Sequence, residues 1–277
     1  MTIIDSHVYC LPPRLADPQV KLPQSEKSII EAIYDHPDGS YALRLTSHKN
    51  IKISMDNCGI NKSVLVALPW TDARLCRETN DYLLTLASKT ASFLALCAIQ
   101  PRDKYWIREA ERCFSANAIG LKVNPNWQGF NLNSPEINDV ADMISEQGKV
   151  LMVHVDHAFK ISGASPAHFY NFIKKHPRTR IIASHMGGGI GLYNLNKYIS
   201  ETMQNVWFDT AVSSTLKMVK IYIKTGLGHK IVFGSDFPFN HSHEQEQVIM
   251  GIKNLNLGPV REESIFEKNF SALMSIE

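Results

Sequence analysis

Four apolar runs in this 277-residue chain end in a side chain able to bind a metal or move a proton. They are Thr2 to Tyr9, Val150 to His154, Arg180 to His185 and Ile231 to Asp236. In the first, Asp5, His7 and Tyr9 alternate, which on a strand places all three on one face. The imidazoles of His7 and His154 with the Asp236 carboxylate make a donor set for a divalent metal of the zinc, manganese or iron type. Three protein ligands leave a position for water, which the metal would acidify into a nucleophile near neutral pH. Asp236 could then take or relay the proton, and His185 could hold the water or a substrate oxygen.

Side chains this far apart in sequence meet only if the strands bearing them share one end of a sheet. The intervening sequence predicts that arrangement. After a long excursion from Cys10 to about Asn61, apolar runs near 63–69, 92–99, 118–123, 150–155, 180–184, 206–210 and 231–235 alternate with helical segments. Asp72, Asp103, Ser134-Pro135 and Ser165-Pro166 read as helix starts, and Gly59, Gly148 and Gly226 as stops. A further helix is expected from the Gly187-Gly188-Gly189 run to about Met203. Within the excursion, Ser28 to Glu31 has the form of a capping box, Asp38-Gly39 of a turn, and Ser47 to Cys58 of a helix. Eight strands separated by helices predict a single-domain (β/α)8 TIM barrel over residues 1–277, with a long insertion (10–61) after strand 1. No GxGxxG follows the first strand, which argues against an open dinucleotide-binding sheet. An insertion of this length at a barrel mouth is expected to serve as a lid or pocket wall.

Several further residues are candidates for substrate contact. Lys122 falls inside strand 4, where a lysine needs a partner or a role: a substrate carboxylate, a carbamate, or a salt bridge with Asp5 or Asp209. Asn124 lies two residues on, on the same face. Trp70 and Trp127, just past strands 2 and 4, could wall a flat ligand. His157 and His241 lie just beyond strands 5 and 8. Most of the remaining histidines are expected at the surface.

The bulk composition excludes other classes. With 44% hydrophobic and 20% charged residues and a net charge of +2, nothing points to nucleic acid or a membrane surface. No apolar stretch reaches the ~20 residues of a membrane span. The five cysteines lack metal-type CxxC spacing, so reduced thiols in the cytoplasm are expected. Together with the absence of a signal-peptide pattern, this predicts a cytoplasmic protein acting on a small molecule, as a homodimer if it oligomerises.

The ordered set Asp5-Ser6-His7-Val8-Tyr9, His154, Ser184-His185-Met186-Gly187-Gly188, Phe208-Asp209-Thr210 and Gly234-Ser235-Asp236-Phe237-Pro238 resembles the amidohydrolase-related family, the branch that includes aminocarboxymuconate-semialdehyde decarboxylase. Met55 to Ile60 and Lys268-Asn269-Phe270 resemble it too, so the likeness spans the chain. It implies a metal-dependent barrel enzyme that hydrolyses or decarboxylates small, often cyclic or aromatic, acids. His7, His154 and Asp236 match its metal ligands, and His185 its strand-6 histidine. Where the family has Asp-x-His-x-His, this chain has Tyr9 in the last position, and a neutral phenol is a poor ligand beside an imidazole. Either fewer protein ligands hold the metal, or Tyr9 coordinates as a phenolate, or no metal binds. Tyr9 could instead act as an acid or an oxyanion donor.

The first expectation is therefore hydrolysis of a small amide, lactone or ester by a metal-bound hydroxide, with Asp236 as base, and with one zinc ion, or manganese, as cofactor. The alternatives are a non-oxidative decarboxylase of a small cyclic or aromatic acid, and a metal-free lactonase or a catalytically silent binding barrel.

Overall fold

The computed structural model describes residues 1–17, 19–33, 47–157, 162–211, 216–239 and 244–274. Eight parallel strands lie in sequence order: β1 (Ile4–Tyr9), β2 (Lys62–Val66), β3 (Phe93–Ala98), β4 (Gly120–Val123), β5 (Val150–Val153), β6 (Arg180–Ala183), β7 (Val206–Asp209) and β8 (Ile231–Val232). β2, β3, β5, β6, β7 and β8 are rich in Val, Ile, Leu and Phe, as strands buried on both faces require, while β1 and β4 carry polar residues toward the mouth. Closure is made by the chain beyond β8. Ser6 N donates to Phe233 O (2.9 Å), Asp236 N to His7 O (3.0 Å) and Tyr9 N to Phe237 O (2.7 Å). The molecule is thus a (β/α)8 barrel, as the alternating pattern predicts.

Helices cover the barrel where the start and stop signals place them. Asp72 caps Ala73–Lys89 through Arg74 N. Ser165 caps Pro166–Lys175, and Ser134 precedes Pro135–Glu146. Ser47 caps His48–Cys58, which stops at Gly59 in the left-handed conformation (φ 69°). No described helix is long and apolar enough to cross a membrane.

Four local expectations need correction. The helix in the insertion already starts at Lys27, directly after a 3-10 turn at Gln24–Glu26, so Ser28 is not its cap. Glu26 instead anchors the insertion. Its buried carboxylate accepts from Thr71 N (2.9 Å) and Asp72 N (2.7 Å), bolting this segment to the loop after β2. Asp103 does not cap the next helix, which begins at Trp106, since Asp103 closes a turn with its carbonyl. The helix expected from the glycine run to Met203 is instead a chain of short turns. Residues 185–189 all have positive φ, between 54° and 94°, and a right-handed helix cannot propagate through them. β8 ends at Val232 rather than Ser235, because the chain peels away toward Asp236 (φ 68°). The predicted turn at Asp38-Gly39, His36, His241 and His243 lie outside the described residues.

Candidate active site

The strand ends deliver their polar side chains to one mouth. His7 and Tyr9 rise from β1, Lys122 from β4, His154 follows β5, Ser184 and His185 follow β6, Asp209 ends β7, and Asp236 follows β8. The hub is Asp209, which is fully buried. Its Oδ2 lies 2.9 Å from His7 Nδ1, and its Oδ1 accepts from the backbone N–H of His185 (2.7 Å) and of Ala211 (3.2 Å). Burial alone would raise this carboxyl, but His7 holds it well below the usual carboxylate range.

Asp209 also sets the tautomer of His7. A carboxylate only accepts, so Nδ1 carries the proton and Nε2 presents a lone pair. The Tyr9 hydroxyl donates to that lone pair at 3.0 Å, and Asp236 Oδ1 lies 3.4 Å from it. Burial, then the Lys122 charge, lowers the His7 pKa against the pull of Asp209 and Asp236. Burial, then the Asp236 and Asp209 charges, raises the Tyr9 pKa well above the ordinary phenol range, so Tyr9 stays a neutral phenol. Burial also raises the Asp236 pKa, favouring its protonated form.

His185 sits in left-handed backbone, with φ 57°. Its Nδ1 faces the Ala211 carbonyl at 3.4 Å, which leaves Nε2 as an acceptor. Burial, then His154, lowers its pKa to about 3, so it is a neutral imidazole. The rings of His185 and His154 meet edge-on, 5.0 Å between centroids. His154 Nε2 lies 3.2 Å from Asp156 Oδ1. Asp156 accepts from Asn126 Nδ2 (2.6 Å) and Ser162 Oγ as well, and these bonds outweigh its burial and keep it ionised.

Lys122 lies under this cluster, 1% exposed, with Nζ donating to Ser184 Oγ at 2.9 Å. Burial lowers its pKa to about 8, against the opposing charges of Asp209 and Asp236. The expected salt bridge does not form: among the described residues Nζ bonds to Ser184 alone, and Asp209 acts on it only through its charge. Asp5 is not the partner. It accepts from Ser235 N, Ser235 Oγ, Gln245 Nε2 and His7 N in the seam between β1 and β8. A register irregularity between Asp5 and Val8 marks where β1 leaves simple alternation.

Of the predicted wall residues, Trp127 stacks on Phe239 (6.0 Å between centroids, 21° between planes), and Phe239 packs on Tyr9 at 5.6 Å. Trp70 is fully buried, with Nε1 donating to Thr79 Oγ1 (2.9 Å), and is core rather than wall. The Asn124 side chain folds back on the backbone of Asn126 and Trp127 and shapes the loop after β4. His157 is exposed. Sequence reasoning missed Asp209 as the hub, and Asp156, Ser184 and Phe239 as partners. Asp209 carried a visible signal, since it too ends an apolar strand. A groove of about 580 Å³ outside the barrel, lined by Arg77, Tyr105, Arg108 and Arg112 among others, shares none of these mouth residues.

The donor set does not close around a metal ion. Among the described residues, no three His, Cys, Asp or Glu side chains are grouped to hold one. His7 and Asp236 approach each other, but His154 faces Asp156 and His185, and Tyr9 occupies the His7 lone pair.

The family model described as Amidohydrolase matches residues 50–269, most of the chain. This chain belongs to the amidohydrolase family. No curated protein matches it in sequence. Among solved structures, it resembles a 5-carboxyvanillate decarboxylase from Novosphingobium aromaticivorans complexed with manganese and 4-hydroxy-3-methoxy-5-nitrobenzoic acid (15% identity, 99% of this chain and 96% of that one, TM-score 0.78). It also resembles 2,6-dihydroxybenzoate decarboxylase from Rhizobium (16%, 99% and 98%, TM-score 0.73). A third is a probable 2-pyrone-4,6-dicarboxylic acid hydrolase from Acinetobacter baumannii, with citric acid bound (14%, 100% of both chains, TM-score 0.66). At these identities the likeness is one of fold, and these members of the fold are enzymes.

Proposed function

We propose that this amidohydrolase is a non-oxidative decarboxylase of a small planar carboxylic acid, aromatic or cyclic. The observation that carries the reading is the presence at one mouth of a buried ammonium, Lys122, and a carboxyl whose pKa burial raises, Asp236, beside the Trp127–Phe239 stack. The substrates for which the solved neighbours are named, two carboxylated phenols and a pyrone dicarboxylic acid, share that chemistry and support it.

Protonation of the ring carbon that bears the carboxylate removes the aromaticity of the ring, and breaking the C–C bond then returns its electron pair to the ring as CO2 leaves. Asp236 is the donor: burial raises its pKa, which makes its protonated form more accessible than that of a free carboxylate. The Lys122 ammonium stabilises the negative charge that returns to a ring oxygen as CO2 leaves and aromaticity is regained. His185, neutral with Nε2 free to accept, orients a ring hydroxyl, and the aromatic stack fixes the plane of the ring. Water then returns a proton to Asp236.

Hydrolysis through a metal-bound hydroxide is less well supported, because the ligand set it needs does not close. The five unpaired cysteines, four of them buried, are in keeping with a reducing cytoplasm. The test is a screen of hydroxybenzoic and pyrone carboxylic acids for CO2 release, run beside Asp236→Asn. The expected result is CO2 release with solvent deuterium incorporated at the vacated carbon, falling by about 10²-fold or more in the variant. Ring opening without CO2 release would establish the hydrolase instead.

A further inference from the structure

A buried ammonium at the floor of a site that should take a cation raises the question of which charge the site is built for. Lys122 Nζ has three donors and, among the described residues, one hydrogen-bond partner, Ser184 Oγ. No carboxylate there lies within ion-pair distance of it, yet Asp209 and Asp236 both act on it electrostatically. Burying a lysine without a contacting counter-ion is costly, and Ser184 alone does not offset that cost. Asp209 is engaged elsewhere, with Oδ2 on His7 Nδ1 and Oδ1 accepting from two backbone N–H groups. The lone pair of His7 Nε2, the nitrogen a cation would need, receives the Tyr9 hydroxyl at 3.0 Å.

We propose that the Lys122 ammonium is the resident cation of this mouth, filling the electrostatic role that a divalent metal would otherwise take. Lys122 and Tyr9 then form one adaptation. The ammonium balances Asp209, and the phenol satisfies the histidine nitrogen that the missing ligand set leaves open. A divalent ion would have to enter beside a fixed positive charge and displace a hydrogen bond, and both oppose it. This holds whether the mouth decarboxylates or hydrolyses its substrate.

The test reads metal rather than turnover, so its failure is distinct from failure of the proposed reaction. Untagged full-length protein, purified without chelator, is subjected to elemental analysis and titrated calorimetrically with MnCl2 and ZnCl2. Expected is less than about 0.1 ion per chain and no site tighter than about 10 µM. Tyr9→His, which supplies the imidazole while keeping the ammonium, is expected to stay equally weak. Tyr9→His combined with Lys122→Met should tighten Mn2+ binding by at least about 10-fold and raise the melting temperature with added Mn2+. If the Met form does not fold by circular dichroism, Lys122→Gln takes its place. Nearly one tightly held ion per wild-type chain would overturn the proposal. So would tight binding by Tyr9→His alone, or a folded double variant no tighter than wild type.

Discussion

Asp5 ties the barrel seam, and removing it has a cost whose pH dependence the structure specifies. Asp5→Ala deprives Ser235 N (3.0 Å), Ser235 Oγ (2.6 Å), Gln245 Nε2 (2.9 Å) and His7 N (3.2 Å) of their acceptor, all in a fully buried setting. Four such donors at about 1 to 1.5 kcal/mol each set the gross loss. Against it stands the cost of keeping the carboxylate ionised inside the protein. Burial raises its pKa from 3.8 to about 6, worth roughly 3 kcal/mol at neutral pH. The variant is therefore expected to be only about 1–3 kcal/mol less stable near pH 7. The sign follows from linkage. A carboxyl with a raised folded-state pKa contributes stability that is fully present below the unfolded value and is lost as pH rises through the folded one. The wild type regains about 1 kcal/mol of this between pH 7 and pH 5, and the variant regains none. Urea unfolding of both proteins at the two pH values measures the double difference, in which other titrating groups cancel. The deficit should be larger at pH 5. An equal or smaller deficit there would refute the view that burial raises the Asp5 pKa in the seam.

Three other outcomes are expected. Asp209→Asn places an amide N–H or a weaker acceptor against His7 Nδ1 (2.9 Å in the wild type) and should lower kcat by about 10²–10⁴-fold, with a changed His7 tautomer in 15N NMR spectra. An unaltered tautomer would remove Asp209 from its hub role. Gly188→Ala brings a Cβ to 1.9 Å from the Asp156 carbonyl at φ +60° and should cost about 2–5 kcal/mol in chemical denaturation; a change below about 0.5 kcal/mol would contradict the packing of that turn. Lys122 has its pKa lowered to about 8, so the ammonium is present below that value and lost above it. The kcat/KM profile should fall on the alkaline side of pH 8, and a profile flat to about pH 9.5 would dissociate Lys122 from the reaction.

The barrel was legible because its strands are apolar runs bounded by strong punctuation. Ser134-Pro135, Ser165-Pro166 and Gly59 act locally, and the structure uses each as the pattern implies. The glycine run after β6 misled because glycine lowers helix propensity without saying what replaces the helix. Here the five left-handed residues follow from close approach, with the Gly188 position pressed against Asp156 O and the Gly187 position against Phe208. Within the site, strict alternation along β1 placed Asp5 beside His7, and the register irregularity takes its carboxylate to the seam instead. Asn124 and Trp70 had the right types at the right strand ends, but their hydrogen-bonding groups are used locally, which no periodicity reports. Asp209 was visible as a strand-end carboxylate. Its importance lies in the number of donors converging on it, a property of tertiary structure alone.

That convergence explains how the mouth tolerates two residues in unfavourable backbone. His185 and Asp236 both have positive φ, a conformation that costs a non-glycine residue about 1–2 kcal/mol. Each is held by the hydrogen bond of its own N–H: His185 to Asp209 Oδ1 at 2.7 Å, and Asp236 to the carbonyl of His7 at 3.0 Å. Since His7 is itself bonded to Asp209, the candidate proton donor and the candidate orienting imidazole refer back to one carboxylate. Their separation is thereby fixed by β1 and β7 rather than by the loops that carry them, and a site built on strands holds reacting groups more closely than loops do. Lys122 completes the frame from β4, its charge facing the same Asp209 and its Nζ bonded to Ser184 next to His185. On the proposed reading, a substrate carboxylate or phenolate entering this frame would meet a positive charge, an accepting imidazole and a carboxyl of raised pKa whose positions are set before it arrives. In the proposed reaction, that preorganisation is what would let the buried cluster accept an anion and return a proton to carbon.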